Sequence, residues 1–422
     1  MGSNTWRKVL LGDAFELIPG YAFKSSSFIE LGIPVLKIKN IKPINLKYDE
    51  LAYVDPHFLE TKDKYLAVHG DLLISMTGNR IDGTPLTWVG KVSYFNKDEK
   101  YLVNQRVGIL RKKSEEYDSK YFAYLLSTNE MQYHFISIAT SSGGQANISP
   151  DQIKNVTLLV PPLTEQKAIA DTLSCFDNKI ELNNRSNKNL EEIAQAIFKH
   201  WFVDFEFPDE SGNPYKSSDG KMGQSELGEI PEGWGICNLE DIAEVVMGQS
   251  PKSDTYNNDN IGLPLINGAS DFKKGYINPL KYTSDPRKKS QPGDYVFGVR
   301  ATVGNVTYID KEYALGRGVG IARSKMKSLN EFLYFVLVKG INYLESTATG
   351  SVYINLSKDD FRSMRIISPP NSLINDFHRI TISIFEEINL KYKENLNLQE
   401  LRDTLLPKLI SGEIELPVEE GV

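Results

Sequence analysis

Cysteine is almost absent from this 422-residue chain: only Cys175 and Cys237 occur, with five histidines. Two thiols cannot make a disulfide framework. His57, His69, His134, His200 and His378 are scattered, without carboxylate or thiol partners at ligand spacing, so no metal site is expected. Long apolar runs are also missing. Nothing approaches the ~20 residues that span a bilayer, so no membrane segment is expected. The opening MGSNTWRKVL is too polar for a signal peptide, and Trp6 stands where a myristoylation motif needs Ser or Thr. A cytoplasmic protein is expected. With 41% hydrophobic and 24% charged residues the chain has enough apolar mass for packed cores, and its length suggests two to four domains.

Catalytic motifs are lacking too. No phosphate-cradling GxxxxGK[ST] loop occurs, and GVG at 318–320 is too short for a dinucleotide fingerprint. Pro150-Asp151 followed by Glu165-Gln166-Lys167 mimics a nuclease PD…ExK pattern. The Glu-x-Lys, however, opens a helix rather than sitting on a strand, and it is not repeated where the rest of the chain repeats. No catalytic residues are assigned.

The chain is an internal duplication with a period a little over 200 residues. Trp6, Asp13 and Gly20 match Trp234, Asp241 and Gly248, and Gly70-Asp71 matches Gly293-Asp294. RVGIL (106–110) matches GVGIA (318–322). Asn147, Ser149 and Pro161-Pro162 match Asn355, Ser357 and Pro369-Pro370. The second copy is shorter by about twenty residues, lost in its first half. Solenoid units are only ~20–50 residues, so this period predicts two globular domains of one type, 1–163 and 233–370. Short apolar runs predict strands at 35–38, 71–76, 91–95, 107–110 and 156–160, then 264–266, 294–299, 319–322 and 364–367. One amphipathic helix per copy is expected near 118–135 and 329–344. Residues 208–232, acidic and rich in Gly, Ser and Pro, read as a disordered linker.

Each copy is followed by a long helix, 164–207 and 371–416, with a short tail at 417–422. Thr164 is expected to cap the first. Apolar positions recur by fours and threes at Ile169, Leu173, Phe176, Ile180, Leu190, Ala194, Ile197 and Trp201, with Asn183 and Asn187 between. The second seam runs Phe377, Thr381, Ile384, Ile388, Lys391, Asn395, Leu398, Arg402, Leu405 and Leu409. Such seams predict an antiparallel coiled-coil-like pair with a polar middle, in which Asn187 and Asn395 set the register. Pro407 is expected to end or kink the last turn. The fold class is α+β: two repeated mixed α/β domains joined by two long helices, with a pseudo-two-fold internal repeat.

Charge alternates along the chain. Net values are +2 for 1–163, −3 for 164–207, −4 for 208–232, +3 for 233–370 and −5 for 371–422. The acidic helices repel phosphate and suit protein partners better than nucleic acid.

The paired domains, PPLTEQ at the first helix entry, WFVDFEFP (201–208) at its exit and LLPKLISGEIEL (405–416) at the second exit resemble the specificity (S) subunit of type I restriction–modification enzymes. The resemblance covers nearly the whole chain; the second helix departs from it, starting PPNSLINDF without Glu-Gln. It implies that each domain is a target recognition domain for one half of a bipartite, asymmetric double-stranded DNA site. It also implies that the helices set half-site spacing and bind two methyltransferase (M) subunits, with restriction (R) subunits joining for cleavage. The chain would be non-catalytic and bind no cofactor itself; S-adenosylmethionine belongs on the methyltransferase, ATP and Mg on the restriction subunit. Alternatives from the residues alone are a two-domain protein–protein scaffold or a stand-alone nuclease or modification enzyme.

Candidate base readers sit in repeat-equivalent loops, because Arg and Lys suit guanine and Asn and Gln suit adenine. One loop holds Thr77, Asn79 and Arg80 against Arg300, Thr302 and Asn305. A Gly-rich loop holds Ser142, Gly143, Gly144, Gln145 and Asn147 against Gly350, Ser351, Tyr353 and Asn355. An early loop holds Tyr21, Phe23 and Lys24 against Gln249, Ser250 and Lys252. Lys37, Lys39 and Asn40 stand against Asn267, and Arg106 is grouped with Arg317. Asn147 and Asn355, shared by both copies, also suit a structural role.

Overall fold

The computed structural model describes residues 6–81, 87–142, 145–268, 271–273, 275–299, 305–347 and 356–417. It divides into two compact units, Met1–Asn178 with Leu398–Val422, and Lys179–Asn397. Each unit thus takes one recognition domain and the adjoining part of each long helix. A lone helix with one apolar stripe must bury that stripe against something.

In the first unit a five-stranded sheet runs Phe15–Pro19, Val107–Lys112, Leu72–Ser75, Val92–Tyr94 and Ile44–Asn45 in spatial order. A second runs Phe28–Ile29, Ala52–Val54, Ile33–Leu36, Tyr101–Val103 and Leu66–Ala67. The second unit repeats both in four-stranded form. One is Ala243–Met247, Val319–Ser324, Tyr295–Gly298 and Val306–Tyr308. The other is Tyr256–Asn257, Tyr282–Thr283, Leu263–Ile266 and Ala314–Leu315. In both copies the first strand pairs antiparallel with the last, Arg7–Leu10 with Thr157–Val160 and Gly235–Asn238 with Arg365–Ser368. That pairing closes the domain immediately before its long helix.

The Gly-Asp signature is structural. Gly70 and Gly293 have φ of 93° and 97°, where a side chain is strained. The aspartates that follow are buried, Asp71 at 2% and Asp294 at 1% exposure. Each accepts two bonds from an arginine on the neighbouring strand: Arg111 at 3.0 and 2.8 Å, Arg323 at 2.8 and 3.0 Å. Each also accepts a backbone N–H, from Val68 or Gln291. A buried carboxylate needs such full pairing to be tolerated.

Several expectations change. The helix expected near 118–135 is two, Ser119–Leu126 and Asn129–Ile138, because the Thr128 hydroxyl accepts the Met131 N–H and starts a new helix. Its counterpart is a single helix, Asn330–Thr347. The first long helix starts at Leu163 rather than after Thr164, and runs 40 residues to Phe202 without Pro or Gly. The second, Asn371–Ile410, continues through Pro407. The Ser411 N–H still reaches the Pro407 carbonyl at 3.0 Å, and the chain turns away at Gly412, φ 74°.

The linker is ordered. Residues Met222–Ser225 and Gly228–Pro231 form an antiparallel hairpin. Phe207 stacks on Tyr215 at 4.6 Å and on Trp234 at 5.1 Å, and Ile230 is buried. Asp209 accepts the Ser211 and Asn213 N–H groups. Composition read the segment as polar, but a few apolar anchors at and within its ends suffice to fix it, and its Asp supplies local turn bonds.

Candidate nucleic-acid interface

Five backbone hydrogen bonds recur in the two recognition domains and join residues that flank the candidate loops. In the first domain they run Gly20 N–H to Val107 O, Tyr21 to Val103, Asn104 to Leu36, Met76 to Arg106 and Ile148 to Met76. In the second they run Gly248 to Val319, Gln249 to Leu315, Gly316 to Ile266, Val299 to Gly318 and Leu356 to Val299. Gly20 and Gly248 are glycine for a reason of space. A Cβ on either would sit 2.3 Å from the Asn104 carbonyl oxygen or 2.1 Å from that of Gly316.

The bonds place residues 104–106 on 316–318. Arg106 therefore corresponds to Gly318, and Arg317 to Gln105, the neighbour of Arg106 in the same turn. Gln105 is exposed and stands in this turn, although it was not among the candidate residues. The match of RVGIL with GVGIA sets it against Arg317, and the backbone bonds give the same register.

In the first domain a three-stranded sheet, Thr140–Ser142, Gln145–Asn147 and Thr77–Gly78, joins two predicted loops. The Thr77 hydroxyl donates to the Asn147 side-chain oxygen at 2.9 Å, so these two residues brace the site from within. Asn79 is exposed and donates to the Thr87 hydroxyl; Arg80 donates to the Ala139 carbonyl at 2.5 Å. Gln145 is exposed. Gly143, Gly144, Arg300, Thr302, Gly350, Ser351, Tyr353 and Asn355 lie outside the described residues, as does the side chain of Ser142. Asn305 is half-buried beside the Val306–Tyr308 strand.

The early loop splits by role. Phe23 is buried and Tyr21 half-buried in an aromatic cluster with Phe58, the two rings 4.9 Å apart edge to face. These two are packing residues. Lys24 and Lys252 are exposed, and each immediately precedes a single-turn helix, Ser25–Ser27 or Ser253–Thr255. Neither lysine is in an ion pair among the described residues. Asn40 is a structural residue, not a reader. It is 1% exposed, accepts the Lys37 N–H and donates to the Lys47 and Asp49 carbonyls. Lys37 lies 3.6 Å over the Phe28 ring, and burial followed by repulsion from Lys39 lowers its pKa. Lys39 pairs with Glu50 at 3.2 Å. In the second domain Gln249 is exposed, Ser250 accepts from Arg317 Nε at 3.1 Å, and the Asn267 N–H is held by Asp271.

The helix seams are real, and their polar partners differ from expectation. In the first unit Ile169 and Leu173 pack with Leu405 and Leu409 in the domain core. Asp177 accepts Arg402 Nη1 and the Tyr124 hydroxyl, both at 2.5 Å. Phe176 is half-buried, and buried Gln166 ties the helix entry to the domain through the Asp118 N–H and the Pro161 carbonyl. In the second unit the two helix segments again run antiparallel. Asn183 donates to Asn395 at 2.9 Å, Asn395 donates to Asn184, and Asn187 donates to the Ile388 carbonyl at 3.3 Å. Asn187 and Asn395 thus do not pair with each other. Ile180, Leu190, Ile197, Ile384 and Leu398 are half-buried. Phe198 and Phe202, absent from the expected seam, pack on Phe335 and Phe332 at 4.8 and 4.9 Å.

Two histidines do have carboxylate neighbours. His57 is 2.8 Å from Asp55, exposed, and His378 is 2.6 Å from buried Glu331, whose carboxyl burial pushes up. Each is a lone pair. Among the described residues no three His, Cys, Asp or Glu side chains converge as metal ligands, and no helix is long and apolar enough to cross a membrane. The nuclease-like residues are apart in role: Asp151 pairs with Lys154, and Glu165 accepts the Trp6 indole N–H.

A duplicated domain with this strand order, each copy followed by a 40-residue helix, defines a class. The chain belongs to the type I restriction modification DNA specificity domain family, whose model matches residues 3–192 and 231–394. The putative type I restriction enzyme MjaX specificity subunit of Methanocaldococcus jannaschii is 29% identical over 97% of this chain and 94% of its own. The MjaIX specificity subunit of the same organism is 30% identical over 71% of this chain and 69% of its own. The crystal structure of a type I restriction–modification S subunit from M. genitalium shares the fold, with TM-score 0.58 over 97% of both chains at 17% identity. The chain is a specificity subunit of a type I restriction–modification system.

Proposed function

We propose that each recognition domain reads one half of a bipartite, asymmetric double-stranded DNA site, and that the chain itself performs no chemistry. The observation that carries this reading is the repeated backbone frame. The same turn is held the same way twice, yet it presents Gln105 in one copy and Arg317 in the other, both exposed. Two unlike readers on one chain need no palindrome, unlike a symmetric dimer. Lys24 and Lys252, the same residue in the same place, suit phosphate contacts, which position a protein without reading sequence. The long helices dock two methyltransferase subunits and set the half-site spacing; restriction subunits join that complex. S-adenosylmethionine is carried by the methyltransferase, and ATP and Mg by the restriction subunit, in the cytoplasm. The exposed Leu182, Ile193, Leu390 and Leu401 on the helices suit a protein partner.

The test is base-modification mapping of DNA from cells carrying the methyltransferase with and without this chain. A bipartite methylated motif that vanishes with the chain is expected. Unchanged methylation, with the methyltransferase active and bound to the chain, favours the scaffold reading instead.

A further inference from the structure

Within that DNA-reading role, a base-reading side chain in a duplicated domain has three identifying properties. Its backbone is fixed identically in both copies, so the side chain starts from a defined place. It is exposed in the free protein, and it differs between copies that read different bases. Several candidates fail one of these. Asn40 is buried, Thr77 and Asn147 bond each other, and Lys24 and Lys252 are the same residue.

Among the described residues one position passes all three. The turn 104–107 is closed by the Val107 N–H on the Asn104 carbonyl at 2.8 Å, and the turn 316–319 by Val319 on Gly316 at 3.3 Å. Each is pinned on both sides by the Asn104–Leu36 and Met76–Arg106 bonds or their equivalents. At the second place in this turn stands Gln105 in one domain and Arg317 in the other, both exposed. Glutamine matches the N6 and N7 edge of adenine, and arginine the O6 and N7 edge of guanine. Arg317 is also oriented. Ser250 takes its Nε at 3.1 Å, which leaves the two terminal nitrogens of the guanidinium as a fork for a base edge.

We infer that Gln105 and Arg317 are the equivalent specificity-determining residues of the two domains, Gln105 reading an adenine in one half-site and Arg317 a guanine in the other. The inference rests on the proposed half-site reading.

The experiment is reciprocal exchange in the full complex with its methyltransferase, followed by base-modification mapping. Arg317→Gln and Gln105→Arg place in each turn a side chain that the same turn already carries in the other copy, so the frame is kept. Arg317→Gln is expected to change or relax one guanine position of one half-site, with methylation of the original site down roughly tenfold or more, and to leave the other half-site intact. Gln105→Arg is expected to act only on the other half-site, at an adenine. Arg317→Lys, which keeps the charge and loses the fork, is expected to lose the same discrimination with its salt dependence unchanged. An unchanged motif after both exchanges, or methylation weakened evenly at all sites with the motif intact, overturns the assignment. Absence of any bipartite motif with the unaltered chain instead overturns the reading on which it rests.

Discussion

In the first recognition domain the turn beside the early loop carries Asn104, Gln105 and Arg106; in the second the same turn carries Gly316, Arg317 and Gly318. Behind that turn the two domains share a frame. The buried Asp–Arg pair, the glycine that admits the turn carbonyl and the closing strand pair occur in both copies. The capped short helix is repeated too, with Ser149 and Ser357 as caps. A duplicated reader keeps what holds the loops and varies what the loops present. Residues shared by the copies are therefore the wrong place to look for sequence specificity and the right place to look for stability.

The largest expected effect is on the shared frame. Arg111→Ala leaves the Asp71 carboxylate buried without its partner, a loss of about 3–5 kcal/mol. Arg323→Ala is expected to cost the second domain about as much, measured by denaturant unfolding of the full chain. A small loss in one domain and a large one in the other breaks the equivalence of the frames.

The helix seam comes next. Asn395→Ala removes the partner of Asn183 and Asn184 and leaves Asn183 buried without that bond, for about 1–3 kcal/mol. Replacing Asn183 and Asn395 together by Leu is expected to recover or exceed the original stability while weakening the register. Thermal melting of the three variants checks both.

A third effect separates the domains. Lys91, 5% exposed, has its ammonium pushed down to about 8, first by burial and then by Lys42. At the pairing-equivalent place the second domain has Asn305. The folded first domain holds that proton less tightly than the unfolded chain does. Its stability should therefore rise as pH climbs from about 8 towards the free lysine value of 10.5. Lys91→Met is expected to abolish that rise and to raise the melting temperature at pH 7; a rise that persists in the variant contradicts the assignment.

The smallest effect is at the constant lysines. Lys24→Ala and Lys252→Ala should each weaken DNA binding by the assembled complex without altering the motif, and each should reduce the salt slope by about 1. A changed motif in either variant moves that lysine from the backbone to the bases.

Much of this was legible in the chain. Repeat spacing gave the two domains, apolar runs gave the main strands, and uninterrupted four-three periodicity gave both long helices. The Gly-Asp repeat marked the buried pair, and Arg111 and Arg323, each ending the stretch that follows the shared VGI, were its unread second half. What escaped depends on contacts distant in sequence. Asn40 looks like any loop asparagine until Lys47 and Asp49 are folded onto it. The 208–232 segment looks disordered until Phe207, Tyr215 and Trp234 stack. Gln105 has no motif of its own; the repeat sets it against Arg317, but only the fold shows both exposed on the same fixed turn.

The most direct test of the central claim replaces residues 233–370 by the corresponding domain of a family member that reads a different sequence, and maps the methylated motif in cells with the methyltransferase. The account predicts that one half-site changes while the other is kept. If both half-sites change, or neither does in a chain that still assembles, the two domains are not independent readers and the account is wrong.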